Sequence, residues 1–175
     1  MKTLLLKTIA IHINIGSNSG HREALIEQAV AAISSAFPGA AVSRSRIVET
    51  PPWGFDSPNP FLNIGVMVRI GEENGTQNYG REEISLAVLR KLQEIQRSID
   101  PSPHRDAEGR YIDRVIDIDL IAIDDWVVDT PELTLPHPRM HLRDFVLIPL
   151  AGLAPTWRHP LTGKTATQHL SDLTD

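Results

Sequence analysis

The stretch 109–119 reads GRYIDRVIDID, and the rest of the chain is organised around it. Aliphatic side chains alternate here with Asp117 and Asp119, a period of two that predicts a half-buried strand. Alternation places both carboxylates on one face of the strand and the aliphatic side chains on the other. Two like charges this close repel each other, and a cation between them would relieve the repulsion. Carboxylate oxygens suit Mg²⁺, which completes its shell with water and phosphate, although an ordinary solvated strand face is the open alternative.

Positive charge is concentrated around this strand in a chain that is acidic as a whole. The formal net charge is −5, which disfavours a general role in nucleic-acid binding. Between positions 104 and 143, every basic side chain other than histidine is an arginine, the planar and bidentate choice for phosphate. These arginines are Arg105, Arg110, Arg114, Arg139 and Arg143. Arg110 and Arg114, just before the acidic pair, are therefore candidates to handle phosphate charge.

Length and residue types limit the class of protein. With 175 residues and 41% hydrophobic side chains, the chain fits one domain, 1–175, with a real core. It has no cysteine, so disulfides, thiolate metal sites and cysteine nucleophiles are excluded. Lys7 interrupts the first apolar run without a cleavage site after it, and no apolar stretch approaches membrane-spanning length. We therefore expect a cytoplasmic protein.

Six elements are predicted before and including the acidic strand. They are strand Thr8–Ile15, helix His21–Phe37, strand Val42–Glu49, strand Phe61–Ile70, a helix marked from Ile84 to Ile99, and the acidic strand. This β-α-β-β-α-β order predicts an α+β, ferredoxin-like fold, an antiparallel sheet with two helices on one face. A polar loop is predicted over 71–80, and a short strand at 126–128 and a helix near 144–152 are expected to follow.

The face of the sheet opposite the two helices is the predicted binding floor. Strand parity puts Phe61, Asn63, Asp117 and Asp119 together on that uncovered face. Polar groups and an aromatic ring on a helix-free face suit a ligand. A solvated face or a dimer surface is equally consistent with the pattern.

The connection between the second and third strands is a predicted binding loop. Thr50–Pro60 is far longer than a hairpin needs, and four prolines stiffen it. Long ordered loops in compact domains tend to be functional. Trp53 and Phe55 offer flat apolar surfaces to a ring-shaped ligand, with the alternative that Trp53 only plugs the edge of the core.

The segment LPHPRMHLRDFVL, 135–147, gathers histidines and arginines beside Phe145. This composition is typical of an anion-binding segment, although a basic turn that caps the following helix would look the same. His137 and His141 have helical spacing for a metal, but Pro138 lies between them and no acidic third ligand follows. A zinc site is therefore disfavoured.

Four segments in one order carry a resemblance to a known family. They are IGSNSG at 15–20, ETPPWG at 49–54 with FLN at 61–63, RVIDIDL at 114–120 and LPHPRMHLRDFVLIPL at 135–150. Together they resemble the 6-hydroxymethyl-7,8-dihydropterin pyrophosphokinases of folate biosynthesis, from Ile11 to Pro160. The resemblance implies a ferredoxin-like fold, two Mg²⁺ ions, ATP as co-substrate, and transfer of a pyrophosphoryl group from ATP to the hydroxymethyl oxygen of the pterin, with release of AMP.

The resemblance also implies roles for residues at the phosphate end of the site. Asp117 and Asp119 would hold the magnesium ions that bridge the triphosphate. The residues expected to handle the ATP phosphates or the developing charge are Arg114, His137 and Arg143, and Arg110 joins them because of its position before the acidic pair. No residue is an obvious general base, and Asp119 is no more than a candidate.

At the other end of the site, the resemblance implies a pterin pocket. Its expected residues are Thr50, Trp53, Gly54, Phe61, Asn63 and Phe145. Asn63 would read the donor and acceptor edge of the pterin ring, and Phe61 and Phe145 match the aromatic side chains that sandwich it.

Several positions depart from the usual pattern of the family. They are Tyr111-Ile112-Asp113 in place of Trp-Gly-Pro, Gln96 in place of a glutamate, and Pro138 in place of a tyrosine. The loop before the acidic strand lacks the usual Gly-Arg, and its cations are His104 and Arg105. We expect Arg105 to be a catalytic residue that reaches the phosphates when ATP and pterin are both bound.

Two other classes of function stay open at this point. A non-catalytic ferredoxin-like module would bind a small molecule without needing the paired aspartates. A magnesium-dependent phosphohydrolase would use the aspartates but release orthophosphate or pyrophosphate into water. For partners we expect ATP and the pterin, with no nucleic acid and no membrane, and a chain that acts as a monomer.

Overall fold

The computed structural model describes residues 8–71 and 79–174, so most of the loop predicted over 71–80 lies outside the described residues. The elements are β1 (Thr8–Ser17), α1 (Arg22–Ala36), β2 (Ala41–Arg44), β3 (Val48–Thr50), β4 (Phe61–Gly71), α2 (Arg81–Ile99), β5 (Asp117–Ile123), β6 (Val128–Asp129), β7 (Thr134–Leu135), a 3₁₀ helix (Met140–Leu142), α3 (Asp144–Leu153) and α4 (Ala166–Thr174). Within these ranges, no helix is long and apolar enough to cross a membrane.

The main sheet is antiparallel and has the strand order β2-β4-β1-β5, with β3 also paired to β4. The prediction of one strand over Val42–Glu49 is wrong, because β2 and β3 divide that segment. The last residue of β2 and the first of β3, Arg44 and Val48, are four positions apart. Their partners on β4, Val66 and Asn63, are three positions apart. The extra residue is accommodated where the Ser45 hydroxyl accepts a hydrogen bond from the Gly65 N–H at 2.9 Å.

One face of the sheet packs against α1 and α2, as the alternating pattern predicted. Fully buried side chains from both layers meet there, and they include Ile11, Ile15, Ile26, Ile33, Ile64, Leu92 and Ile116. Burying an aliphatic side chain of this size stabilises a fold by about 1.5–3 kcal/mol. This layer therefore fixes which side of each strand faces away from the helices.

The other face is partly covered by α3, so the prediction of a helix-free face is wrong. A Cβ atom at Gly65 of β4 would lie 2.9 Å from Cβ of Pro149 and 3.0 Å from Cδ1 of Leu153. The absence of a side chain at Gly65 is what lets α3 approach the strand this closely. The second apolar cluster, between this face, α3 and α4, consists of Ile121, Ala122, Met140, Val146, Leu147, Leu150 and Ala166.

An irregularity in β5 connects this second layer to the predicted basic segment. The register of β1 and β5 shifts between His12 and Ile13, which leaves Ile121 as an extra residue. Ile121 and Ala122 are consequently both buried in the second cluster although they are consecutive. The carbonyl of Ile121 accepts a hydrogen bond from the backbone N–H of His137 at 2.8 Å. The bulge thus fixes where the segment after β7 begins.

Candidate active site

A cavity of about 270 Å³ lies over one end of the sheet. Its floor comes from β1, β4 and β5 and consists of Asn14, Gly16, Phe61, Asn63, Asp117 and Asp119. The proline-rich connection adds Thr50, Pro51, Trp53 and Phe55. The remaining wall is mostly basic and consists of His104, Tyr111, Arg114, His137, Arg139, Arg143 and Phe145.

Gly16 separates the two ends of the floor. It pairs with Asn63 of β4 on one side and with Asp117 of β5 on the other. A Cβ atom at this position would lie 3.0 Å from Oδ1 of Asn63 and 3.4 Å from Cδ1 of Phe61. A glycine here leaves space directly between an amide and a carboxylate.

Asp117 and Asp119 have different surroundings. Arg114 pairs with one oxygen of Asp117, and Nδ1 of His104 lies 3.7 Å from the other. Burial by itself would raise the pKa of Asp117, but the His104 contact and the Arg114 charge hold it below its usual value. Burial and then the charge of Asp117 raise the pKa of Asp119 to about 7, against the opposing effect of Arg143. Two repelling carboxylates of this kind are a donor set that a divalent cation would stabilise.

Unpartnered polar atoms are concentrated in the cavity wall. In the described part of the chain, four buried side-chain nitrogen or oxygen atoms lack a hydrogen-bond partner. Three of them, Nε of Arg114, Nε of Arg143 and Oδ1 of Asn14, belong to residues of this cavity. Buried polar groups in proteins are normally bonded, so these atoms fit a ligand that supplies the missing partners.

The imidazole ring of His137, in the cavity wall, is neutral. Its Nδ1 accepts a hydrogen bond from the backbone N–H of Arg139 at 3.2 Å, which assigns the ring proton to Nε2. Burial, followed by the charges of Arg143 and Arg139, lowers the pKa of His137 to about 4. Near pH 7 this side chain is therefore a hydrogen-bond donor without a charge.

Aromatic rings hold the arginines in position. The Arg143 guanidinium carbon lies 4.8 Å from the ring centre of Trp53 and 5.5 Å from that of Phe145. Such cation–π contacts are worth roughly 0.5–2 kcal/mol, with more at desolvated sites. The binding loop and the basic segment, which are far apart in sequence, are therefore joined at this point.

Tyr111 gathers three arginines from two segments. The guanidinium carbons of Arg105 and Arg114 lie 3.9 Å and 4.6 Å from its ring centre. Arg139 Nη2 donates a hydrogen bond to the Tyr111 hydroxyl at 3.0 Å. Burial acts to raise the pKa of Tyr111, but this hydrogen bond and the arginine charges outweigh it and lower the pKa.

Asn63 and Thr50 form a buried polar pair at the other end of the floor. Asn63 Nδ2 donates to the Thr50 hydroxyl at 2.9 Å, and both residues are buried. The Oδ1 atom of Asn63 lies towards Gly16. The amide orientation is therefore fixed before any ligand arrives, with its acceptor towards the middle of the floor.

The structure brings most of the predicted site residues to one cavity. Those that line it are Thr50, Trp53, Phe61, Asn63, Arg114, Asp117, Asp119, His137, Arg143 and Phe145. Gly54, Arg105 and Arg110 are not among the lining residues. Arg105 donates to the carbonyl of Gly109 at 2.6 Å, and the exposed Arg110 pairs with Asp106 and Glu108.

Seven further residues line the cavity without having been assigned to the site from the sequence: Asn14, Gly16, Pro51, Phe55, His104, Tyr111 and Arg139. Phe55, His104 and Arg139 stand out in the sequence only for their aromatic or basic character. Strand parity carried a signal for Asn14 and Gly16, because both lie on the same side of β1 and are paired with Asp119 and Asp117. For Tyr111 the sequence carried only its proximity to the acidic strand.

Comparison with known proteins identifies the family. A family model described as 7,8-dihydro-6-hydroxymethylpterin-pyrophosphokinase (HPPK) matches residues 12–155. The chain belongs to this family. The 2-amino-4-hydroxy-6-hydroxymethyldihydropteridine pyrophosphokinase of Porphyromonas gingivalis is 40% identical over 151 residues, 86% of this chain and 93% of that protein. The protein of the same name from Methylorubrum extorquens is 34% identical over 163 residues, 93% of this chain and 92% of the relative.

Solved structures of HPPK-containing proteins share the fold. A structure of HPPK-DHPS in complex with substrates gives a TM-score of 0.67 at 13% identity, covering 94% of this chain and 43% of the other. Wild-type Plasmodium falciparum HPPK-DHPS with pteroate gives 0.66 at 13% identity, covering 95% and 44%. This chain therefore spans less than half of each of those proteins. At so low an identity the likeness concerns the fold alone.

Proposed function

We propose that this protein transfers the pyrophosphoryl group of ATP to the hydroxymethyl oxygen of 6-hydroxymethyl-7,8-dihydropterin in folate biosynthesis. The new bond joins that oxygen to the β-phosphorus, the bond from the β-phosphorus to the α,β-bridging oxygen breaks, and AMP leaves. Family membership supports this reaction. The observation that carries it is one cavity lined by a fixed amide, aromatic rings, paired carboxylates and arginines.

Asp117 and Asp119 are the proposed holders of two Mg²⁺ ions. In the described ranges, no group of three or more His, Asp and Glu side chains is arranged to hold a metal. A two-carboxylate site nevertheless fits Mg²⁺, which takes one or two carboxylates and the oxygens of a nucleotide triphosphate. The raised pKa of Asp119 beside Asp117 supports this fit. Bound magnesium would neutralise phosphate charge and orient the triphosphate.

The basic wall is proposed to hold the triphosphate. Arg114 and Arg143 each have an unpartnered Nε that a phosphate oxygen would satisfy, and charge-assisted bonds of this kind are roughly twice as strong as neutral ones. Neutral His137 would donate from Nε2 without adding charge. Reactions of this class depend mainly on positioning and charge stabilisation, which these residues supply. The proton of the hydroxymethyl group has no obvious acceptor, and Asp119 is the candidate.

The amide end of the cavity is proposed to hold the pterin. Asn63 is locked by Thr50, so it presents a fixed donor and acceptor pattern to the edge of a ring. Phe61 and Phe145 would stack on the two faces, with Trp53 and Gly54 in the loop that closes over them. Gly54 has a φ of +81°, a turn conformation that glycine adopts without strain.

Arg105 and Arg110 would reach the phosphates only after a movement of the loop before β5. Arg105 rests on Tyr111, a lining residue of the cavity, and would have to leave the carbonyl of Gly109 to turn towards the phosphates. Arg110 would first have to leave Asp106 and Glu108. We therefore assign the closing contact to Arg105 before Arg110.

The scaffold that supports this function is proposed to be ferredoxin-like, in a single domain of residues 1–175. The strand order β2-β4-β1-β5 and the packing of α1 and α2 on one face support this assignment. The irregular second strand and the presence of α3 on the opposite face are local additions to it.

The test is incubation with ATP, Mg²⁺ and 6-hydroxymethyl-7,8-dihydropterin, with separation of the products. Equal amounts of pterin diphosphate and AMP are expected. Orthophosphate or pyrophosphate released without pterin diphosphate would indicate a phosphohydrolase. Pterin binding with no turnover of ATP would indicate a non-catalytic module.

A further inference from the structure

Three segments meet outside the cavity wall at one hydrogen-bonded junction. They are the turn after β1, the end of the proline-rich loop and the segment before β5. Asn18 Nδ2 donates to Asp113 Oδ1 at 2.7 Å and to the carbonyl of Asn59 at 3.1 Å. Asn59 Nδ2 donates to the other carboxylate oxygen of Asp113 at 2.5 Å. We call these three residues the Asn18–Asp113–Asn59 junction.

Asn18 is the buried centre of this junction. The residue is 3% exposed, and its Oδ1 accepts a hydrogen bond from the backbone N–H of Arg114 at 2.7 Å. Its own backbone N–H donates to the carbonyl of Arg114 at 3.1 Å. The backbone of Arg114 is therefore held on both sides by one residue, and the same residue holds the loop through Asn59.

The Asp113 carboxylate closes the junction. Burial acts to raise its pKa, but hydrogen bonds with Ser57, Asn59 and Asn18 outweigh it and lower the pKa. The group is thus ionised near neutral pH and its bonds are charge-assisted, although Asp113 and Asn59 are exposed and water screens them. Ser57 also accepts the N–H of Asn59 at 3.1 Å, so the loop end is fixed by side chain and backbone together.

Each arm of the junction leads directly to a different part of the cavity. Asn59 is two residues before Phe61 of the aromatic floor, and Asp113 immediately precedes Arg114, the partner of Asp117. We propose that the Asn18–Asp113–Asn59 junction is a positioning device that sets the pterin wall against the phosphate wall. The inference rests on the proposed function. It predicts that the junction governs how well bound pterin and bound nucleotide are aligned, rather than the affinity for either ligand alone.

An exchange of the amide and the carboxylate between positions 59 and 113 tests the junction. Asn59→Asp sets a second carboxylate against that of Asp113, across a contact that is now 2.5 Å. Asp113→Asn added to it restores a donor opposite the new carboxylate and keeps an oxygen for Asn18, so every bond of the junction is available again with the polarity reversed. Asp56→Asn is the matched control, because it removes a carboxylate from an exposed position of the same loop.

The measurements are kcat, the KM for each substrate, and the Kd of ATP without pterin. Asn59→Asp is expected to lower kcat/KM for the pterin by at least about tenfold, since small misplacements of reacting groups have effects of up to a hundredfold. The Kd of ATP alone should change less than about twofold, because each wall is intact. Asn59→Asp with Asp113→Asn should return to within about threefold of the unmodified protein, and Asp56→Asn should match it.

Three results would overturn the junction's role. The first is an Asn59→Asp variant as active as Asp56→Asn, and the second is a double variant no better than the single one. The third is an equal loss of ATP and pterin binding, since it indicates general destabilisation. If the unmodified protein makes no pterin diphosphate, the proposed function fails instead. Hydrogen exchange at 51–63 then decides the junction: faster exchange in Asn59→Asp and recovery in the double variant support it, and unchanged exchange refutes it.

Discussion

Gly16→Ala is the most direct test of where the pterin lies. The backbone of Gly16 is not in the left-handed region, so alanine introduces no backbone strain. The only change is a methyl group 3.0 Å from Oδ1 of Asn63 and 3.4 Å from Cδ1 of Phe61. A contact of 3.0 Å is tighter than almost all real contacts of a Cβ atom, so the Asn63 amide must shift by a few tenths of an ångström.

The size of the effect follows from what holds Asn63. Its amide nitrogen is bonded to Thr50 at 2.9 Å in a buried setting, so the amide has one fixed orientation to lose. Leaving a buried donor or acceptor without its partner costs about 1–3 kcal/mol, which is the expected loss when the displaced amide no longer meets the pterin edge. If Asn63 reads the pterin edge, the Kd of the pterin should rise about 5- to 150-fold, since about 1.4 kcal/mol corresponds to a factor of ten.

Calorimetry with a non-hydrolysable ATP analogue present measures this effect. The Kd of the pterin should rise while that of the nucleotide changes less than about twofold, because Asn63 and the basic wall lie at opposite ends of the floor. Gly71→Ala is the matched control, since a methyl group at that end of β4 meets no atom within 4 Å among residues 8–71 and 79–174. Unchanged pterin affinity in Gly16→Ala would refute the assignment of Asn63, and equal loss of both ligands would instead indicate a disturbed sheet.

Three further predictions address the acidic pair, the loop and acid stability. Asp117→Asn or Asp119→Asn should lower turnover at least about a hundredfold with an unchanged circular dichroism spectrum, because metal-held charge stabilisation is worth several kcal/mol; near-normal AMP production by both variants would exclude this site. Arg105→Ala should lower kcat more than it raises the Kd of ATP measured without pterin, because the contact forms only in the closed complex, and an unchanged kcat would reject it. Burial, then the Arg69 charge, lowers the pKa of His12 from 6.5 to about 4. The native state thus resists protonation of this ring, and stability should fall between pH 6.5 and pH 4 by on the order of 3 kcal/mol. His12→Gln should remove that part of the loss in urea unfolding at pH 7 and pH 4, and an identical loss in both proteins would contradict it.

Local periodicity determined the elements. Aliphatic alternation located β1, β4 and β5. The strand predicted over Thr8–Ile15 is two residues longer in the structure and ends at Ser17. Alternation works for these strands because each has one side fixed against α1 and α2. The same parity put Asn63 and the acidic pair on one side of the sheet, where they line one cavity.

Tertiary structure decided the features that depend on register between distant strands. The break between β2 and β3 arises from the pairing of Ser45 with Gly65, and the bulge at Ile121 arises from its pairing with β1. A one-residue shift leaves no trace in the periodicity of a single segment. The approach of α3 to Gly65 likewise depends on a contact between residues about eighty positions apart.

The cavity shows the same division. The carboxylates, the amide and the arginines of the cavity could be predicted from the sequence, because charge and hydrogen-bonding groups are properties of the residue type itself. The sequence did not supply the contact of His104 with Asp117, the arginines gathered on Tyr111, or the neutral state of His137. Ring stacking and pKa depend on the burial and charge that neighbouring segments create, and only the folded chain brings those segments together.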